Sequence, residues 1–220
     1  MTTLTTSPCS AVVARLFAEA AASDARLDEQ RQALSAGDAG TPMLRTDDYR
    51  ALYGALRDFH LAVSGETAML LYMLARSSRA RTIVEFGTSF GVSTLHLAAA
   101  LRDNGGGKLI STEFEPTKVA RAHANLAAAG LDDLVEIRVG DALETLARDL
   151  PEEIDLALLD GAKNLYPKVL SLLEPRLRSG SMVLADNADW SPDYLARVRG
   201  AAGGYVSVPF ASDVELTMRL

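Results

Sequence analysis

Apolar residues recur at helical spacing through the first third of the chain and then give way to short continuous runs. Val12, Val13, Leu16, Phe17 and Ala20 fall on one helical stripe, and Leu52, Tyr53, Leu56 and Phe59 fall on another. The stretch from Ser35 to Pro42, which carries Gly37 and Gly40, predicts a loop between them. Ser64 precedes a third apolar helix through Met69, Leu70, Tyr72, Met73 and Leu74, where its hydroxyl is suited to accept from first-turn amides. No strand is expected in this part of the chain.

Beyond Arg81 the runs TIVEF (from Thr82), KLIST (Lys108), VEIRV (Val135), IDLALLD (Ile154) and SMVLAD (Ser181) alternate with helical segments. That alternation predicts βαβ units and a mostly parallel sheet, an α/β fold. Pro116 in a first turn, Gly130 after a last turn, and Asp141 followed by Glu144 punctuate the helices. After Asn187 a short helix opens at Ser191-Pro192 and closes near Gly200. YVSVPF and VELTMRL, separated only by Ala211-Ser212-Asp213, then read as an antiparallel hairpin. The expected layout is a helical N-terminal appendage over residues 1–60 and one domain over residues 61–220.

With 220 residues, 48% of them hydrophobic, the chain is large enough for a real core. The formal charge of −7 and the lack of a dense Lys/Arg cluster argue against nucleic acid as a partner. A single cysteine, Cys9, excludes an internal disulfide framework and a multi-cysteine metal site. No basic leader and no apolar run near the length of a bilayer span is present, so no membrane association and a cytoplasmic location are expected. His60, His96 and His123 have no ligand spacing and receive no role.

The chemistry concentrates at strand ends. The first run continues as Glu85-Phe86-Gly87-Thr88-Ser89-Phe90-Gly91-Val92-Ser93, a GxxxG spacing that differs from the GxGxxG of nicotinamide sites. The second ends at Glu113, where doubly wound folds place an acid that accepts from ribose hydroxyls. Asp141 follows the third run and is as readily a helix cap as an adenine contact. Asp160-Gly161-Ala162-Lys163 follows the fourth and Asp186-Asn187 the fifth. Two carboxylates and an amide oxygen form an all-oxygen set suited to a hard cation such as Mg²⁺, and a lysine beside them can act as a base.

This combination resembles the class I S-adenosylmethionine-dependent, cation-dependent O-methyltransferases, the family of catechol and caffeoyl-CoA O-methyltransferases, over roughly residue 60 onward. The stretch from Pro192 to Gly200 is similar to the helix after the Asp-Asn pair in the catechol enzymes. The resemblance implies a Rossmann-like class I methyltransferase fold with an antiparallel C-terminal hairpin and added N-terminal helices. It implies cofactor contacts from Val63, Ser64, Glu85, Gly87, Ser89 and Ser93 on the methionine side, Glu113 at the ribose, and Phe114, Asp141 and Ala142 around adenine. Asp160 would touch both cofactor and metal, Asp186 and Asn187 would complete the metal ligands, and Lys163 would be the general base.

The expected function is methyl transfer from S-adenosyl-L-methionine to one hydroxyl of a small catechol-like aromatic, aided by Mg²⁺ or another divalent cation. A metal-independent methyltransferase of the same fold and a non-catalytic cofactor-binding protein remain as alternatives. The acceptor side departs from the family: Ala162 stands where a catechol enzyme can carry tryptophan, and the short turn before Val214 leaves no clear equivalent of a pocket glutamate. Trp190, Phe59 and Leu61 are candidates either for the acceptor wall or for packing. The apolar stripes of the first helices could cover the sheet of their own chain or of a second copy, so a homodimer stays open.

Overall fold

A computed structural model describes residues 1–35, 49–200 and 203–220. Gly37, Gly40 and Pro42 of the expected loop, and the side chain of Leu52, lie outside the described residues. Three helices precede the first strand: α1 (Cys9–Ser35), α2 (Tyr49–Ala55) and α3 (Gly65–Ser77). Ser64 caps α3 as its hydroxyl accepts from Thr67 N at 3.1 Å.

The sheet is built from β1 (Thr82–Phe86), β2 (Lys108–Glu113), β3 (Val135–Val139), β4 (Ile154–Leu159), β5 (Leu177–Ala185), β6 (Tyr205–Phe210) and β7 (Val214–Arg219). Its order is β3-β2-β1-β4-β5-β7-β6. The first five strands run parallel and are joined by α4 (Val92–Asp103), α5 (Pro116–Ala129), α6 (Ala142–Thr145) and α7 (Tyr166–Leu173), while α8 (Pro192–Arg199) leads into the antiparallel pair. Pro116 occupies the first turn of α5, and Gly130 ends that helix in the left-handed region at φ 69°. One detail differs from the sequence expectation. β5 begins at Leu177, four residues before the apolar run, through a register shift against β4. The last strand, β7, lies inside the sheet between β5 and β6, so β6 is the edge, with Val206 and Val208 exposed.

Strand side chains alternate between two apolar layers, as the period of 2 requires. Ile83, Leu109, Leu156, Leu158 and Leu184 pack with α3 and α4 and with Leu4, Cys9, Val12 and Leu16 from the N-terminal segment. Val84, Phe86, Ile110, Ala157, Leu159 and Val183 pack with Tyr166, Val169 and Leu170 of α7 and Tyr194 and Val198 of α8. Cys9 is buried in the first layer, and burial pushes its thiol up to about 11. Among the described residues no helix is long and apolar enough to cross a membrane.

Glu85 ties β1 to its neighbours from inside the first layer. It is fully buried, and its carboxylate accepts from Ser93 Oγ at 2.6 Å, Thr94 Oγ1 at 2.7 Å and Ser111 Oγ at 2.5 Å. Burial raises its pKa to about 7, against the opposing pull of those three hydroxyls.

The registers Phe86↔Thr112, Glu113↔Val139, Phe86↔Leu159 and Leu159↔Ala185 align the carboxyl ends of all five parallel strands on one edge. Chain order reverses between β1 and β4, which creates a crevice for ligands at that edge.

Two consequences are measurable. Leu16 has no exposed surface, so Leu16→Ala should destabilise the whole molecule by about 2–5 kcal/mol in urea unfolding. For Glu85 the folded-state pKa lies above the ordinary carboxyl value, so its contribution to stability is full below about pH 4.5 and is lost as pH rises through about 7. Glu85→Gln should flatten that part of the stability–pH profile, read as the urea midpoint across the range.

Candidate cofactor and metal site

β1 ends at Phe86, and Gly87 follows at φ 106°, a backbone conformation that favours glycine. A Cβ there would lie 2.5 Å from the carbonyl oxygen of Asp160. Across the crevice, a Cβ on Gly161 would fall 2.3 Å from the Phe86 ring. The β1 and β4 ends are therefore closed against each other, and Asp160 N donates to Phe86 O at 2.8 Å.

Above this contact lies a cavity open to solvent, about 670 Å³ when the space at its mouth is included. Gly87, Ser89, Glu113, Phe114, Asp141, Ala142 and Asp160 from the sequence-expected set all line it. A smaller neighbouring cavity is lined by His60, Leu61, Ala62, Gly87, Ser89, Ser93 and Asp160, among others. Glu85 lies in neither lining, because its carboxylate is taken up by hydroxyls beneath the glycine turn. Val63 and Ser64, whose backbone the resemblance places at the methionine carboxylate, line neither cavity; the Val63 side chain is buried in the core and the Ser64 hydroxyl caps α3.

Glu113 holds both carboxylate oxygens in place by accepting from Ser89 N and Glu115 N, each at 2.8 Å. Burial raises its pKa, opposed by the Glu115 amide, the Lys118 ammonium and the Ser89 amide. Asp141 Oδ1 accepts from Leu143 N at 2.9 Å and so caps α6. Its other oxygen accepts from Tyr49 Oη and from Arg50, each at 2.6 Å. Burial works against its ionisation, but those donors outweigh it and hold the carboxyl below its ordinary value.

Asp160, Lys163, Asp186 and Asn187 come together at the ends of β4 and β5. Lys163 Nζ donates to Asp160 Oδ1 at 2.9 Å. Both side chains are nearly buried, at 12% and 11% exposure, so this pair is not a solvent-screened surface contact. The Asp186 carboxyl is buried and in hydrogen-bonding contact with Asp160; burial and that neighbouring charge together raise its pKa. Burial lowers the Lys163 pKa, but Asp160, Tyr166 and Asp186 more than reverse it, so the ammonium form is held well above the ordinary value. Tyr166 Oη donates to the backbone carbonyl of Asp186 at 2.7 Å, which fixes the end of β5.

Asn187 sits in the left-handed region at φ 47° and donates from Nδ2 to Asp213 Oδ2 at 3.1 Å, turning its amide oxygen away from that acid. Among the described residues no three His, Cys, Asp or Glu side chains cluster as a metal cage. The donor set here is two carboxylates plus an amide. Two buried carboxylates in contact repel each other, and oxygen donors of this kind fit a hard divalent cation.

Several residues entered the site without a sequence signal. Tyr49 and Tyr53 of α2 line the larger cavity, and Tyr53 Oη donates to Gly161 O at 3.2 Å. Tyr53 falls on the expected apolar stripe, where a tyrosine that only packs and one that lines a cavity have the same local pattern. Asp213 looked like a turn former. Trp190, by contrast, is 49% exposed and lines neither cavity.

Comparison with known proteins shows the family. The family profile described as a methyltransferase domain matches residues 84–188. The catechol O-methyltransferase of Sus scrofa is 30% identical over 161 residues, covering 70% of this chain and 85% of that protein. The catechol O-methyltransferase of Niastella koreensis is 34% identical over 130 residues, 58% of each chain. This chain thus spans less than two thirds of the length of the first curated relatives it matches. Among solved structures, the O-methyltransferase TomG from Streptomyces achromogenes, in complex with SAM, superposes with a TM-score of 0.63 at 26% identity, covering 81% of this chain and 92% of that one. On the strength of these matches, the chain belongs to the catechol O-methyltransferase-like family of S-adenosylmethionine-dependent O-methyltransferases.

Proposed function

We propose that this protein transfers the methyl group of S-adenosylmethionine to one hydroxyl of a small aromatic with two adjacent hydroxyls, with help from a divalent cation. The observation that carries the reading is the contact of Lys163 Nζ with Asp160 Oδ1 at 2.9 Å, beside Asp186 and Asn187 and at the rim of the cavity lined by Gly87 and Glu113. Relatives named catechol O-methyltransferase support the acceptor class.

In this reading Glu113 accepts from the ribose hydroxyls, while Phe114 and Ala142 flank adenine. Gly87 leaves room for the methionine portion, with Ser89 and Ser93 beside it. Asp160, Asp186 and the Asn187 amide oxygen would hold the cation, which supplies positive charge that lowers the pKa of an acceptor hydroxyl. Lys163 Nζ, held against Asp160, stands where as the neutral amine it would take the acceptor hydroxyl's proton. Tyr53, anchored to Gly161 O, closes the cavity from the N-terminal side and helps exclude water. Holding the two reactants aligned accounts for much of the acceleration.

Turnover of simple catechols with S-adenosylmethionine and Mg²⁺ should cease with excess EDTA. Lys163→Ala should lower kcat by about 10²- to 10⁴-fold, the range for loss of a general base, and Asp160→Ala should abolish the metal response. Chelator-insensitive turnover would sink the metal-assisted reading; cofactor binding without any catechol turnover would sink the acceptor assignment.

A further inference from the structure

Lys118 lies in the first turn of α5 and lines the larger cavity, yet its charge has no matching partner. The residue is only 3% exposed. Among the described residues it forms no ion pair. Its Nζ lies 3.4 Å from Ser89 Oγ and 5.3 Å from the centre of the Phe90 ring, against which Arg121 also packs. Burial lowers its pKa, opposed at longer range by Glu113, Glu115, Asp160 and Asp58. A buried ammonium without a carboxylate in contact is costly to keep, and a methionine of similar length would fill the same space without that cost.

The need for it lies in what Glu113 leaves undone. Each Glu113 oxygen already accepts one backbone N–H, and ribose hydroxyls would donate their hydrogens to the same carboxylate. Those hydroxyl oxygens then require a donor of their own once they leave water. Lys118 shares the cavity wall with Glu113, Glu115, Asp141 and Ala142 and does not line the smaller cavity beside Ser93. It thus stands on the Glu113 side of the cavity, beside Ser89 of the glycine turn.

We propose that Lys118 is a cofactor-binding residue whose ammonium donates a hydrogen bond to a ribose hydroxyl oxygen of the adenosine moiety held by Glu113. This rests on the reading of Glu113 as the ribose acid. The pairing gives the cavity a donor and an acceptor for one diol, a combination that recognises the hydroxyl and discriminates against its absence.

The test is calorimetric binding of S-adenosylhomocysteine, with no metal and no turnover, to the wild-type chain, Lys118→Met, Lys118→Arg and Glu113→Gln. The 2′-deoxy and 3′-deoxy analogues of the ligand are titrated alongside. Lys118→Met should bind the parent ligand about 10- to 100-fold more weakly, as expected for loss of a charge-assisted hydrogen bond. Lys118→Arg should recover part of the affinity. The penalty that the wild type imposes on one deoxy analogue should shrink in Lys118→Met, while the thermal midpoint of that variant without ligand stays at or above the wild-type value. Affinity of Lys118→Met within about twofold of wild type, or an equal loss for the parent and both deoxy analogues, would overturn the proposal. If Glu113→Gln and both deoxy analogues bind as the parents do, the ribose assignment itself is wrong and the proposal falls with it.

Discussion

Everything at the ligand edge depends on how closely the ends of β1 and β4 approach. Gly87 lies against the Asp160 carbonyl and Gly161 against the Phe86 ring at distances that admit no Cβ. Two glycines thus close the crevice floor at the point where strand order reverses. The residue that follows β1 and the carboxylate that follows β4 consequently face the same cavity. A methyl group on either glycine would separate the strands and, with them, the cofactor side from the candidate metal side.

On that floor the charges are arranged in a state of tension. Asp160 and Asp186 are buried in contact, and Lys163 supplies the one ammonium seen against Asp160 among the described residues. Low local dielectric makes both the repulsion and the ion pair strong. On the proposed reading, a divalent cation held by Asp160, Asp186 and Asn187 would offset that repulsion. The hairpin turn joins this corner through Asp213, which takes the Asn187 amide nitrogen. The antiparallel end of the sheet is thereby tied to the candidate chemistry of the parallel part.

The N-terminal segment is part of the packed structure. Leu4, Cys9, Val12 and Leu16 share one apolar layer with α3 and α4, and α2 brings Tyr49 and Tyr53 to the cavity while its Arg50 pairs with Asp141. Asp141 is a helix cap and also the acceptor for two α2 donors. The cavity wall is therefore drawn from regions some ninety residues apart in the chain, and its shape depends on helices outside the βαβ core.

The sequence by itself determined the local elements and most of the strand-end chemistry. The switch from helical stripes to short β-rich runs marks each of the five parallel strands, and Ser64, Pro116 and Gly130 mark helix ends, because these signals act within a few residues. Gly87, Glu113, Asp160, Lys163, Asp186 and Asn187 were legible as a group because a parallel sheet must deliver all its strand ends to one edge. Only the tertiary structure decided that β7 enters the sheet ahead of β6, that Glu85 turns inward to three hydroxyls, and that Tyr49, Tyr53, Lys118 and Asp213 reach the site. Each of those outcomes rests on contacts between residues distant in sequence, where a tyrosine on an apolar stripe or a lysine in a first helical turn looks the same whether it meets solvent or a cavity. Local spacing encodes periodicity and capping; which side chain finds a partner across the fold is settled by packing alone.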